Sequence, residues 1–263
     1  MPKSLLCYIL FYCQLLFAWG KLGHNITAKI AEIHLSKNAE HAVHDILGNN
    51  DLVGISDWAD VIRPSKRFIK LHYTSMNAAG KLLESKKNGL LFTGIKNAIN
   101  TLAAKNSTKQ EQEIALKLLV HLLGDAHQPL HVGNGYDAGG NLCGVNWFKR
   151  KRLVSLHKIW DVFLVKAAYA QNPWLVAESS KISPPTSNYD DVDILSYLRE
   201  SRSLHKKIYP KTCTNIYAKK PGEHLSGAYV KANINIVKER LMLGGLRLAG
   251  ILNKIYKNYK TDL

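Results

Sequence analysis

The segment HLLGDAHQPLH, His121 to His131, concentrates groups able to hold a metal ion. On a helix, His121 and Asp125 are four residues apart and share a face one turn apart. Pro129 ends regular helix and can turn the chain so that His131 returns toward that face. LHKIWD repeats the spacing with His157 and Asp161, and SDWADVIR followed by KLHYTSMN supplies Asp60, Arg63 and His72. A lone His/Asp pair at this spacing is ordinarily an ion pair on a helix surface. These pairs instead lie beside Leu122, Leu123 and Trp160, where uncompensated charge is costly. Imidazoles and carboxylates without thiolates suit zinc in a hydrolytic site. The donors outnumber what one tetrahedral ion can use, so several ions sharing a carboxylate is the natural inference. His127, two residues from Asp125, points off the shared face and is expected behind the site. His34, His41, His44, His205 and His224 lack a carboxylate at metal spacing and read as surface or satisfied core residues.

The elements that must position these groups are helical. Residues 25–36 place Ile26, Ile30, Ile33 and Leu35 near one face, and residues 110–124 do the same with Ile114, Leu118, Leu119, Leu122 and Leu123. Acidic residues open the second segment and Gly124 follows its apolar run, which reads as a stop. A third helix is expected from about Gly222 to Tyr256, bent or broken at Gly244-Gly245. Loops fall at Gly133 to Gly144 and Ser183 to Asp191. Alternating strand patterns are scarce, and no repeat or linker divides the chain. The expected fold is all-α, a single compact multi-helix domain.

Residues 1–18 read as a cleaved signal peptide: Lys3 gives a positive start, residues 5–18 are apolar except for Gln14, and Ala18 suits cleavage. Fourteen residues are short for a bilayer span. Removal leaves residues 19–263 as one domain, large enough for a sizeable core. Of the four cysteines, only Cys143 and Cys213 remain, free to bridge in an oxidising compartment; the alternative is two buried thiols. A bridge would close a loop of about 70 residues, worth roughly 4 kcal/mol on a chain-entropy account. The formal charge of +16 favours polyanionic partners, nucleic acid or an anionic membrane surface, although solvated faces explain most short runs such as KRKR at 149–152. Two sequons, Asn25-Ile-Thr and Asn106-Ser-Thr, matter only in a eukaryotic secretory route.

In WGKLGH (19–24), WAD with Arg63 (58–63), LHY (71–73), HLLGDAHQPLH (121–131), GGN (139–141) and LHKIWD (156–161), the chain resembles the zinc-dependent single-strand-specific nucleases, which share a superfamily with zinc phospholipases C. The resemblance implies a phospholipase C/nuclease-like helical fold with a trinuclear zinc site. One ion would take Asp60, His72, His121 and Asp125, a second His131, His157 and Asp161, and a third Trp19, His24 and the shared Asp125. Trp19 would act through the free amine and carbonyl of the mature N-terminus. Asp60 would orient the attacking hydroxide, Arg63 would neutralise the phosphate, and products would carry 5′ phosphates. Tyr73 would stack an unpaired base and Asn141 would join it in binding substrate. Ser75 stands where such proteins often carry Asp or Asn, leaving base preference open.

The implied substrates are single-stranded DNA and RNA and 3′-nucleotides, cleaved by a secreted or periplasmic monomer that is not inserted in a membrane. A zinc phospholipase C is the nearer rival, disfavoured by HKIWD in place of a His-x-x-x-Glu and by the short Trp19-to-His24 spacing. A basic binding protein with structural metals is the other, disfavoured because all nine ligand positions are filled.

Overall fold

A computed structural model describes residues 19–62, 68–83, 89–186 and 188–259. The expected signal peptide, residues 1–18, and Arg63 lie outside the described residues.

Helices dominate. Helix α1 (Lys21–Ile33) opens the described chain, followed by α2 (Lys37–Leu47), α3 (Leu52–Ile55) and α4 (Trp58–Ile62). Helix α2 is capped by the Ser36 hydroxyl, which accepts from Ala39 N at 3.3 Å, and Asp51 caps α3 through Gly54 N at 2.6 Å. These are the short polar residues whose side chains supply the acceptors a helix start lacks. After a 3-10 turn, Ile69–His72, come α5 (Leu91–Ala103) and the central α6 (Lys109–His127). A reciprocal cap starts α6: the Thr108 hydroxyl accepts from Glu111 N while the Glu111 carboxylate accepts from Thr108 N. A second 3-10 turn, Pro129–His131, follows. Further on, α7 (Leu156–Lys158) runs through a π-helical segment, Ile159–Leu164, into α8 (Val165–Gln171). The chain then forms α9 (Leu175–Ser179), α10 (Asp191–Ser203), α11 (His205–Ile208) and α12 (Gly227–Ile255).

Short strands supplement this helical fold at one side. Strand β1 (Thr74–Ser75) pairs in parallel with β2 (Val132–Gly133). Strand β3 (Cys143–Trp147) pairs antiparallel with β4 (Val154–Ser155) and β5 (Thr214–Asn215), and parallel with β6 (His224–Leu225). A disulfide joins Cys143 to Cys213 beside that sheet. Cys143 is buried but Cys213 is exposed, which disposes of the alternative of two buried thiols.

Two apolar clusters flank α6. One gathers Leu52, Leu91, Ile95, Leu116, Leu119, Leu122 and Leu123 with the end of α12. The other gathers Trp19, Ile30, Leu130, Trp160 and Leu164 with the first half of α12. Between α6, α10 and α12 lies a partly buried ionic cluster. Glu200 accepts from Arg240 at 2.8 Å and from both terminal nitrogens of Arg247 at 2.7 Å. Burial works to raise the Glu200 pKa, but the two guanidiniums outweigh it and the carboxyl titrates below its ordinary value.

Several expected boundaries move. Helix α1 starts four residues before the expected segment, because the turn after Trp19 already satisfies Gly23 N through Gly20 O. Ile33 and Ile114, expected on buried faces, are exposed. Helix α12 is unbroken at Gly244-Gly245: these glycines are where α1 crosses it. A Cβ on Gly245 would lie 2.5 Å from Ile30 Cβ and 2.7 Å from Thr27 O, whereas one on Gly244 would meet Thr27 Cγ2 at 3.3 Å. Helix propensity alone favours Ala over Gly by about 1 kcal/mol, so the sign of the change separates packing from propensity. Gly245→Ala should lower unfolding free energy in urea by roughly 1–3 kcal/mol, and by clearly more than Gly244→Ala. Stabilisation by Gly245→Ala would contradict the close crossing.

Candidate metal centre

Five imidazoles and three carboxylates, all expected as ligands, meet at the C-terminal half of α6. His121 and Asp125 are both fully buried on α6, with His121 Nε2 3.4 Å from Asp125 Oδ2. Asp125 draws in three more rings: His24 Nε2 at 3.5 Å from Oδ1, His72 Nδ1 at 3.2 Å from Oδ2 and His131 Nδ1 at 3.6 Å from Oδ1. Asp60, on α4, sits at the edge with Oδ1 3.8 Å from His72 and 3.9 Å from His121. His157 Nε2 faces Asp161 Oδ2 at 3.1 Å, and His131 Nε2 lies 3.9 Å from Asp161 Oδ1. The donor atoms fall into three overlapping groups: His24, Asp60 and His121; His72, His121 and Asp125; His131, His157 and Asp161.

Backbone carbonyls aim the rings. His121 Nδ1 bonds Ser56 O at 2.8 Å, His131 Nδ1 bonds His72 O at 2.5 Å, and His157 Nδ1 bonds Gly139 O at 2.6 Å. A carbonyl only accepts, so each ring donates Nδ1–H and turns the Nε2 lone pair inward, the usual arrangement behind metal-binding histidines. The turn after Pro129 that returns His131 to the site is thus present as expected. So is the four-residue pairing of His157 with Asp161, although through a π-helical segment, a feature frequent at functional sites.

His24 provides the test of fit. It is fully buried and stacked on His121 with ring centroids 3.9 Å apart, yet among the described residues neither of its ring nitrogens has a hydrogen-bond partner. His131 Nε2 is likewise buried without one. Each such atom costs about 1–3 kcal/mol if nothing compensates it. Burial, and then the neighbouring rings His121, His131 and His72, hold the His24 pKa well below its ordinary value. Burial and then His157 do the same for His131. Neutral imidazoles are the form that binds a metal, and the nitrogen and oxygen donor set suits zinc. The residues present therefore fit metal ions.

Trp19 is fully buried, and Gly20 N donates to Asp161 O at 2.9 Å, which ties this turn to the segment carrying the His157/Asp161 pair. Gly124 is not the helix stop that its place in the sequence suggests. A Cβ there would lie 2.9 Å from His24 Nδ1, so the glycine makes room for that ring and α6 continues to His127. Tyr73 is half-buried beside ligand candidate His72, and Ser75 is buried in β1. Asn141 is half-exposed, its amide donating to Ala138 O at 2.8 Å within the loop that carries Gly139.

His127 faces away from the cluster. Its Nε2 accepts from Arg247 at 2.9 Å and its Nδ1 donates to Leu123 O at 2.7 Å. Burial and then Arg240 and Arg247 keep it neutral. His205, buried as expected of a satisfied core residue, donates to Pro129 O at 2.9 Å and braces the turn carrying His131. Burial lowers its pKa to about 4. His34 meets the Ser179 hydroxyl at 3.4 Å, and His41, His44 and His224 are exposed.

One contributor escapes the sequence reading. Gln128 is fully buried, its amide donates to Asp161 Oδ1 at 2.5 Å, and its carbonyl accepts from Leu130 N at 2.6 Å. It occupies one oxygen of Asp161 and leaves Oδ2 toward His157. Only its place inside HQPLH could have flagged it.

Comparison with known proteins agrees with this geometry. A family model described as S1/P1 Nuclease matches residues 19–257. Endonuclease 2 of Arabidopsis thaliana is 30% identical over 284 aligned residues, covering 95% of this chain and 94% of that one. Nuclease S1 of Aspergillus oryzae is 27% identical, covering 92% and 93%. Nuclease P1 of Penicillium citrinum is 29% identical over 160 residues, covering 56% and 58%.

Replacing Gln128 by Leu should weaken zinc binding about 10- to 100-fold, as loss of an outer hydrogen bond to a ligand does, measured by competition with a chromophoric chelator. Unchanged affinity would show that the amide does not orient Asp161.

Proposed function

Because the chain belongs to the S1/P1 nuclease family, and is thus a hydrolase of nucleic acid, we propose that it cuts single-stranded DNA and RNA in a zinc-dependent reaction leaving 5′ phosphates, and that it also removes phosphate from 3′-nucleotides. The observation that carries this reading is the buried cluster around Asp125, with His24 inside it and, among the described residues, no hydrogen-bond partner for its nitrogens. Three zinc ions are assigned: one to Asp60, His72, His121 and Asp125, one to His131, His157 and Asp161, and one to Trp19, His24 and Asp125. Bound there, they would supply positive charge for the phosphate and water deprotonated near neutral pH.

The protein's own groups do the rest. Asp60, at the edge of the cluster, orients the attacking oxygen through its carboxylate. Arg63, three residues further along the sequence, is assigned to the phosphate, where a guanidinium's forked donors match paired oxygens. Tyr73 is assigned to base stacking, which needs an unpaired base and tolerates any sequence; its backbone is fixed by Leu91 N donating to Tyr73 O at 3.0 Å. Asn141 is assigned to substrate through the outer edge of its loop.

Residues 1–18 are assigned to a signal removed after Ala18, leaving residues 19–263 as the mature domain and Trp19 with a free amine. The depth of Trp19 and the bond from Gly20 to Asp161 support that assignment, and the Cys143–Cys213 bridge suits an oxidising compartment outside the cytosol. Among the described residues no helix is long and apolar enough to cross a membrane. A monomer that works after export, in the periplasm or outside the cell, is the reading adopted.

The mature chain should hold three zinc ions by native mass spectrometry and cleave single-stranded DNA and RNA well ahead of duplex. A chain carrying one extra residue before Trp19 should lose one ion and most activity. His121→Ala should cost more than about 100-fold in rate, beyond the loss typical of an outer-shell change, while His34→Ala should be nearly silent. Cleavage of phosphatidylcholine instead of nucleic acid, or full activity in the extended chain, would overturn the reading.

A further inference from the structure

Helix α11 and the residue after it touch both segments that carry the group of His131, His157 and Asp161. His205 opens α11 and donates to Pro129 O at 2.9 Å, behind the turn that ends in His131. Tyr209, four residues on, has its ring centroid 5.1 Å from that of His205, and its hydroxyl donates to Asp137 Oδ2 at 2.8 Å. Asp137 lies in the loop of residues 134–142 that joins β2 to β3. Cys213, a further four residues along, is bonded to Cys143 at the end of that loop.

Asp137 passes this hold on to a ligand candidate. Its Oδ1 accepts from Gly140 N at 3.0 Å, and its backbone carbonyl accepts from Leu142 N at 3.0 Å. Between these bonds the chain bends sharply: Ala138, Gly139 and Gly140 have φ of 53°, 62° and 78°, a left-handed region that alanine rarely adopts. The bend delivers two carbonyls to one residue. Gly139 O accepts from His157 Nδ1 at 2.6 Å, and Gly140 O accepts from His157 N at 3.3 Å. The inner side is already filled, since a Cβ on Gly139 would collide with Leu130 O. Asp137 and Tyr209 are half-buried and belong to none of the three donor groups. Burial, and then Asp137, push the Tyr209 pKa up, so the phenol keeps its proton and remains the donor.

We propose that Asp137 is a positioning residue: anchored by Tyr209, it sets the orientation of His157. Its carboxylate bridges the Tyr209 hydroxyl and Gly140 N and so fixes the left-handed bend. The bend fixes Gly139 O, and that carbonyl holds His157 in the tautomer whose Nε2 lone pair points inward. Partners of this kind orient a ligand and raise its affinity for metal. The consequence for zinc rests on the metal reading above and is independent of the substrate.

Asp137→Ala, Asp137→Asn and Tyr209→Phe, made in the zinc-loaded mature chain, test this role. Competition with a chromophoric chelator reads how tightly the ions are held, and nitrogen NMR of the labelled His157 ring reads its tautomer with or without metal. Asp137→Ala should weaken one ion about 10-fold, the low end for loss of an outer hydrogen bond, and leave the others as they are. An amide keeps an acceptor for Gly140 N, so Asp137→Asn should restore most of that affinity. Tyr209→Phe should weaken the same ion, and combining it with Asp137→Ala should add nothing, because both act through one bond. The His157 ring should hold the Nδ1–H form in the parent and in Asp137→Asn, and become a mixture in Asp137→Ala. Lower unfolding free energy in Asp137→Ala with affinities and tautomer unchanged would overturn the proposal, as would a loss spread evenly over every ion. A parent chain that binds no zinc, but whose His157 tautomer still depends on Asp137, would refute the metal reading and uphold the positioning role.

Discussion

Everything else in this molecule is arranged around a carboxylate, Asp125, that is fully buried with four imidazoles about its oxygens. His24, His72, His121 and His131 all approach within 3.6 Å of it. Burying so many polar groups together is unfavourable unless each is compensated. Carbonyls compensate one nitrogen on each of three rings in the cluster, and the inward lone pairs call for cations. Metal ions held by these groups would belong to the core's energetics as well as to the chemistry, and metal binding is expected to be coupled to stability.

The elements serve that centre from different directions. Helix α6 supplies His121 and Asp125, while α1 brings His24 over Gly124 and is itself seated on α12 at Gly245. The turn beyond Pro129, braced by His205, returns His131 to the site. The small sheet and the Cys143–Cys213 bridge flank the 139–142 loop, whose Gly139 carbonyl orients His157. On the far side of α6, His127, Glu200, Arg240 and Arg247 form a second polar network. The site is therefore clamped on both faces of one helix.

What could be read from the sequence follows from which interactions leave a side-chain signature. The His121/Asp125 and His157/Asp161 pairs were legible because helix geometry converts a spacing of four into proximity, and the structure brings all eight side chains together as expected. Their braces were not, because Ser56, His72 and Gly139 act through carbonyls that every residue possesses. Gly124 and Gly244-Gly245 read locally as a stop and a break; α1 packs at these places, and a partner distant in sequence reverses the meaning of a glycine. Ile33 and Ile114 fit the apolar period but lie at the margins of their faces. Gln128 has no titratable group or ligand spacing, so only its two hydrogen bonds in the fold reveal it.

Shared metal ions would hold the buried imidazoles and Asp125 together. Anomalous diffraction from crystals of the mature chain, collected on either side of the zinc absorption edge, tests it directly. Three zinc peaks are predicted, two of them within bonding distance of the Asp125 carboxylate and the third beside His131, His157 and Asp161. Density for the cluster with no zinc peak at Asp125 would contradict the account.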